Sequence, residues 1–157
     1  MIPTRYLYQL AEYEGIHIEW HDLVHFAGLY INTSYLPYPI ISLAKWLSTK
    51  ERELRCVLAH ELGHHFATAG DHLIAANRTS SVCRTKHERF ATKWAVDLLL
   101  PTDLFLEGIQ EGKTAQGLAD HFYVTLDFIK CKAELIKQTD ALAGSLQELK
   151  ASYNVFF

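Results

Sequence analysis

The sequence predicts an α+β fold: a small sheet of about three strands packed on a pair of long helices, followed by a helical C-terminal part. Three observations predict it. The strand candidates all lie before residue 45, and two long helical patterns occupy mid-chain at 48–67 and 86–100. Beyond Pro101 only shorter helical stretches remain, punctuated by Gly108, Gly112, Gly117 and Gly144. The chain has 157 residues, enough for one domain with a real core. The expected organisation is a single domain over 1–157, with a mixed α/β core at 1–100 and a helical part at 101–157.

In chain order, "IPTRYLYQLAEYEG" reads as a first helix. Pro3 suits its start, Leu7, Leu10 and Ala11 share a face, and Gly15 stops it. "IHIEW" alternates, with Ile16, Ile18 and Trp20 on one side, as a half-buried strand does. "AGLYIN" and "PIISLA" are two further strands, and Pro37 and Pro39 suit an edge for the third. "STKERELRCVLAHELGHHFA" is the strongest helix, with Ser48 and Glu51 at capping-box spacing and Gly70 as a stop. The polar stretch "GDHLIAANRTSSVCRTK" has no clear period and reads mainly as loop. "KHERFATKWAVDLLL" is the second long helix, ended by Pro101. Segments at about 102–110, 115–122 and 126–138, and a last one to about 151, complete the chain.

Composition excludes several classes. No apolar run approaches the roughly 20 residues that span a bilayer, and the N-terminus lacks the pattern of a secretory signal. A cytoplasmic protein is the expectation. Cys56, Cys83 and Cys131 are odd in number and widely spaced, which suits a reducing compartment. A net charge of −3 gives no electrostatic basis for tight binding to nucleic acid.

The chemistry concentrates in "HELGH", residues 60 to 64. Residues i and i+4 of a helix project from one face, so His60 and His64 can reach one metal ion. Glu61 lies on the adjacent flank, placed to hold water beside that ion. This is the logic of H-E-x-x-H, in which two imidazoles hold zinc and the Glu takes a proton from water. Leu54, Leu58 and Leu62 give the helix an apolar side to bury. Gly63 is a poor helix former, costing about 1 kcal/mol relative to Ala, so its presence predicts a close approach there.

A catalytic zinc needs a third protein ligand and an open position. Asp71 and His72 follow within eight residues of His64. A ligand six residues after the second histidine, with Gly three after it, is absent: Gly70 and Ala67 stand there. Glu88 opens the next long helix, and Ala91 and Ala95 continue its face with small residues that permit close packing. Spacing alone leaves Glu88 open between a ligand and an exposed carboxylate favoured by the helix dipole.

"HELGH" followed by "ERFATKWAVDLLLP" resembles the ImmA/IrrE family of bacterial and phage metallopeptidases, over roughly residues 1 to 140. Glu88, Ala91, Ala95, Leu98, Leu99 and Pro101 match the second family motif, and "LADHFYVTLDFIKCKAEL" resembles its following helical pair. The resemblance implies a zincin-like fold with His60, His64 and Glu88 as zinc ligands, the third being gluzincin-like, and Glu61 as catalytic base. It also implies a zinc endopeptidase, in stand-alone form, that cuts a helix-turn-helix repressor and so derepresses a prophage, mobile element or stress regulon. Thr92 stands where the family has Asn or Asp, at a position suited to orienting a ligand, and Trp94 replaces Phe.

Other features carry weaker readings. His17, His21 and His25 recur every fourth residue, but His17 lies in a strand pattern. Cys83 and His87 make at most half a metal site. Tyr35, Tyr38 and Trp46 line a groove or cover the core. Tyr30, His72 and His121 are candidates for stabilising an oxyanion. A rival reading is an anti-repressor that binds its partner without cutting it and uses zinc structurally, with a fourth ligand such as His72. A weaker one is a nucleic-acid-binding regulator using the C-terminal helices, although Asp120, Asp127 and Glu134 oppose it.

Overall fold

The computed structural model describes residues 2–67, 72–74 and 86–153, with side chains at 2–66 and 86–139. Its architecture is α+β with a helical C-terminal part. Helix α1 (Thr4–Tyr13) buries Leu7 and Ala11. Gly15 follows at φ +68°, a conformation open to glycine at no steric cost. It lets the chain reverse so that the Ile16 N–H bonds to the Ala11 carbonyl at 2.8 Å.

Strands β1 (His17–His21), β2 (Gly28–Asn32), β3 (Ile40–Ala44) and β4 (His72–Ile74) form one mixed sheet in the order β1-β3-β2-β4. β1 runs parallel to β3, while β2 is antiparallel to both β3 and β4. Three of these strands were expected; the short β4 lies within the segment read as loop. β1 alternates as expected, with His17, Glu19 and His21 outward.

β3 is central rather than an edge. Its run Ile-Ile-Ser-Leu-Ala is covered on both faces, as a nearly continuous apolar strand must be. Pro37 and Pro39 precede the strand, where no ladder donor is needed, and the Pro39 carbonyl accepts the His17 N–H at 2.9 Å.

A 3₁₀ turn over Lys45–Thr49 leads into α2 (Glu51–Ala67). The anticipated capping box does not form. Ser48 belongs to the 3₁₀ turn and its hydroxyl bonds back to the Lys45 carbonyl at 2.7 Å. Glu51 instead accepts from the Thr4 hydroxyl at 3.2 Å, tying α2 to α1.

Helices α3 (Lys86–Leu99), α4 (Thr102–Gln110) and α5 (Ala115–Phe122) follow. The last two expected segments are one helix, α6 (Leu126–Tyr153). It runs through Gly144, whose cost of about 1 kcal/mol is too small to break a helix among good formers.

α2 packs against α3, β2, β3 and α1, so it lies at the centre of the molecule. One apolar cluster joins Leu7 of α1, Ile41 of β3, Leu58 of α2, Leu99 of α3 and Ile129 of α6. α6 is pinned to α3 and α4 by a buried ammonium: Lys132 Nζ lies 2.8 Å from both Asp97 Oδ1 and Thr102 Oγ1. The Cys56 thiol accepts the Thr125 N–H at 3.4 Å, and burial pushes its pKa up to about 11, so it is an inert packing group. Among the described residues no helix is long and apolar enough to cross a membrane.

Candidate metal centre

α2 supplies two imidazoles and α3 a carboxylate. His60 Nε2 lies 3.2 Å from His64 Nε2 and 3.2 Å from Glu88 Oε2. Glu88 Oε1 lies 3.5 Å from His64 Nε2. One donor atom from each of the three falls within 4.8 Å of the others, a cluster that can hold a metal ion. Of the candidates for the third position, Glu88 therefore joins the pair, while Asp71 and the His72 side chain lie outside the described residues.

The close approach expected at Gly63 is real. A Cβ there would stand 2.3 Å from the Ala91 carbonyl oxygen, so the α3 backbone rests directly on the bare glycine. Ala91 and Ala95 are fully buried on this face, small enough to let the helices approach and carry Glu88 to the histidines.

Glu61 is sealed into the wall between helix and sheet. Burial pushes its carboxyl up to about 7, against the lowering effects of His60 and of the Tyr30 backbone N–H. Gly28 makes the space: a Cβ there would fall 2.7 Å from Glu61 Oε1 and from Val57 Cγ1. Sequence reasoning missed Gly28. Its only signal was a glycine inside a strand, which marks a place where another group comes close.

The charges at the cluster are mutually adjusted. Burial disfavours a charged His60, but hydrogen bonding to Glu88 and the charges of Glu61 and Glu88 win, so its pKa is raised. Burial likewise opposes ionised Glu88, yet the His60 hydrogen bond and the charges of His60, His64 and His87 hold it below the ordinary value. A cation would take the place of the proton on His60, because metal ligands bind deprotonated.

Two features of the chain fit such an ion. The donor set is two imidazoles and one carboxylate, which matches open catalytic sites. Glu61 Oε2 is buried and has no hydrogen-bond partner among the described residues, a costly state that water at the cluster would relieve.

Thr92 reaches the far side of His60, its Oγ1 lying 3.3 Å from Nδ1. A hydroxyl can accept from Nδ1–H, the tautomer that would free Nε2 for a cation, so Thr92 is placed to orient the ring. Thr92→Val is expected to weaken metal affinity about 10-fold or more, and Thr92→Asp to tighten it, as read by chelator competition. Equal affinity in all three proteins would show that the contact does not orient the ring.

The remaining sequence candidates fall elsewhere. Tyr30 is buried and its hydroxyl lies 2.8 Å from His65 Nδ1. His121 is on α5, edge-on to Phe122. His17 and His21 lie on β1, stacked on Tyr38 and bonded to Glu19 respectively, so their four-residue spacing is not a helical stripe. Tyr35, Tyr38 and Trp46 are exposed rather than covering the core. Trp94 stacks on Phe66 at 4.8 Å. Cys83 lies outside the described residues.

A buried helix carrying H-E-x-x-H, backed by a mixed sheet and faced by a glutamate from the next helix, defines a metallopeptidase-type domain. The family model for peptidase M78, the IrrE N-terminal-like domain, matches residues 11–134, and the chain belongs to that family. No curated protein and no solved structure matched the chain.

Proposed function

We propose that this chain is a single-domain zinc endopeptidase that cleaves a helix-turn-helix transcriptional repressor in the cytoplasm and so derepresses a prophage, mobile element or stress regulon. The observation that carries the reading is the pairing of the His60–His64–Glu88 cluster with a buried carboxylate, Glu61, that has one oxygen to spare. A structural metal has no use for such a base.

In this reading His60, His64 and Glu88 hold zinc. When bound, zinc supplies a polarised carbonyl and a water whose pKa is brought to about 7. Glu61 accepts the water proton through Oε2 and delivers it to the leaving amine. Burial raises its carboxyl above the ordinary value, which suits both steps, since a group that must take and then give a proton works best near the ambient pH. Gly28 and the Tyr30 backbone hold that carboxylate in place. The repressor as substrate is the activity typical of the ImmA/IrrE-like peptidases that the chain resembles.

The direct test incubates the purified protein, with one equivalent of zinc, with any helix-turn-helix protein encoded beside it. Fragmentation at a defined bond, stopped by a chelator and restored by zinc, is expected. A stable complex with the repressor left intact would instead indicate an anti-repressor that sequesters its partner.

A further inference from the structure

A chain of polar groups outside the metal cluster joins three elements behind Glu61. The Tyr30 hydroxyl on β2 lies 2.8 Å from His65 Nδ1 on α2. His65 Nε2 lies 3.4 Å from Oε2 of Glu14, the C-terminal cap of α1. A carboxylate can only accept, so Nε2 carries the ring proton and Nδ1 is left as an acceptor. The Tyr30 O–H is therefore the donor to His65. Burial raises the Tyr30 hydroxyl above its ordinary pKa, with the Asn32 side chain as an opposing neighbour, so it keeps that proton.

Two members of this chain, Tyr30 and His65, adjoin the reacting groups. Tyr30 is the residue whose backbone N–H acts on the Glu61 carboxylate, and Gly28, two residues earlier on the same face of β2, forms the wall against Glu61 Oε1. On α2, His65 directly follows His64. Glu61 has one oxygen without a partner among the described residues, so its position depends on where that wall stands.

We propose that His65 and Tyr30 are positioning residues, which lock β2 against α2 and thereby set where the Glu61 carboxylate stands. Their effect on rate rests on the peptidase reading above; their effect on Glu61 does not. A displacement near 1 Å of a reacting group can cost about 100-fold in rate, so a modest slackening of β2 is enough to be measured.

The test uses full-length Tyr30→Phe, His65→Ala and His65→Asn proteins, each loaded with zinc. Asn places an amide oxygen where Nδ1 was, and so still accepts from Tyr30. One arm follows the Glu61 side-chain carboxyl resonance by ¹³C NMR. It is expected to move in Tyr30→Phe and His65→Ala and to return in His65→Asn. The other arm measures cleavage of the repressor found as substrate in the direct test above. There kcat is expected to fall about 10-fold in the first two variants, with KM unchanged, and to recover in the third.

A Glu61 resonance that stays fixed in Tyr30→Phe and His65→Ala overturns the proposal, whatever the rates. So does a fall in melting temperature with kcat per folded molecule intact, because that is what a purely structural tie would give. If the wild-type protein cleaves nothing while the resonance shifts as described, the peptidase reading fails and the positioning role stands.

Discussion

Glu61→Gln is expected to lower kcat about 10³-fold while leaving metal content and melting temperature close to wild type. Gln has the same shape and fills the same pocket beside Gly28, but it cannot take a proton at neutral pH. General acid–base catalysis contributes about 10²–10⁴-fold, and this substitution removes it at one atom. Glu61 lies outside the His60–His64–Glu88 cluster, so the metal should stay. The wild-type rate should also fall on the acid side, where the Glu61 carboxyl, raised by burial, becomes protonated and loses its basicity. Cleavage of the repressor and metal analysis of the purified variant together decide the matter. A variant that cleaves at the normal rate would remove Glu61 from the mechanism.

The second large effect is expected at Gly63. Gly63→Ala places a methyl group 2.3 Å from a backbone oxygen of α3, which has no rotamer through which to escape. The helices must separate, and overpacking of this kind costs about 1–3 kcal/mol. The better helix propensity of Ala returns up to about 1 kcal/mol, so a net loss of stability remains. Function suffers more. α3 carries Glu88, and any separation draws the carboxylate away from His60 and His64, so metal affinity should fall by at least about 10-fold. Gly117→Ala is the control, since its Cβ would meet Thr114 Oγ1 at 3.4 Å, near ordinary contact. Thermal unfolding and chelator competition on both variants check the expectation. Equal behaviour of the two would show that helix propensity rather than helix contact governs Gly63.

Much of the site was legible because it obeys helical spacing. His60 and His64 are four residues apart on a helix whose leucines mark its buried side, and chemistry and periodicity agree on the same residues. Gly63 was readable for a related reason: a poor helix former inside a strong helix needs a contact to justify it. Thr92 was placed beside a ligand only through a family resemblance, and the structure sets it on His60 Nδ1. Local hydrogen-bond choices were less legible. Ser48 had the spacing for a cap, yet it bonds within a 3₁₀ turn, because α2 begins three residues later. Pro37 and Pro39 suggested an edge, yet they end just before a strand that is covered on both sides.

By itself the sequence determined the α+β class, the helix that carries His60, Glu61 and His64, and the small-residue face of α3. Periodicity and steric fit act over one or two turns, and those are written in neighbouring residues. Only the tertiary structure decided that Glu88 meets the two imidazoles, that Gly28 clears room for the Glu61 carboxylate, and that His65 links Tyr30 to Glu14. Each of these pairs residues from different elements, and their meeting depends on how helices and strands pack. Packing sums many weak contacts across the whole core, so no single stretch of sequence records it.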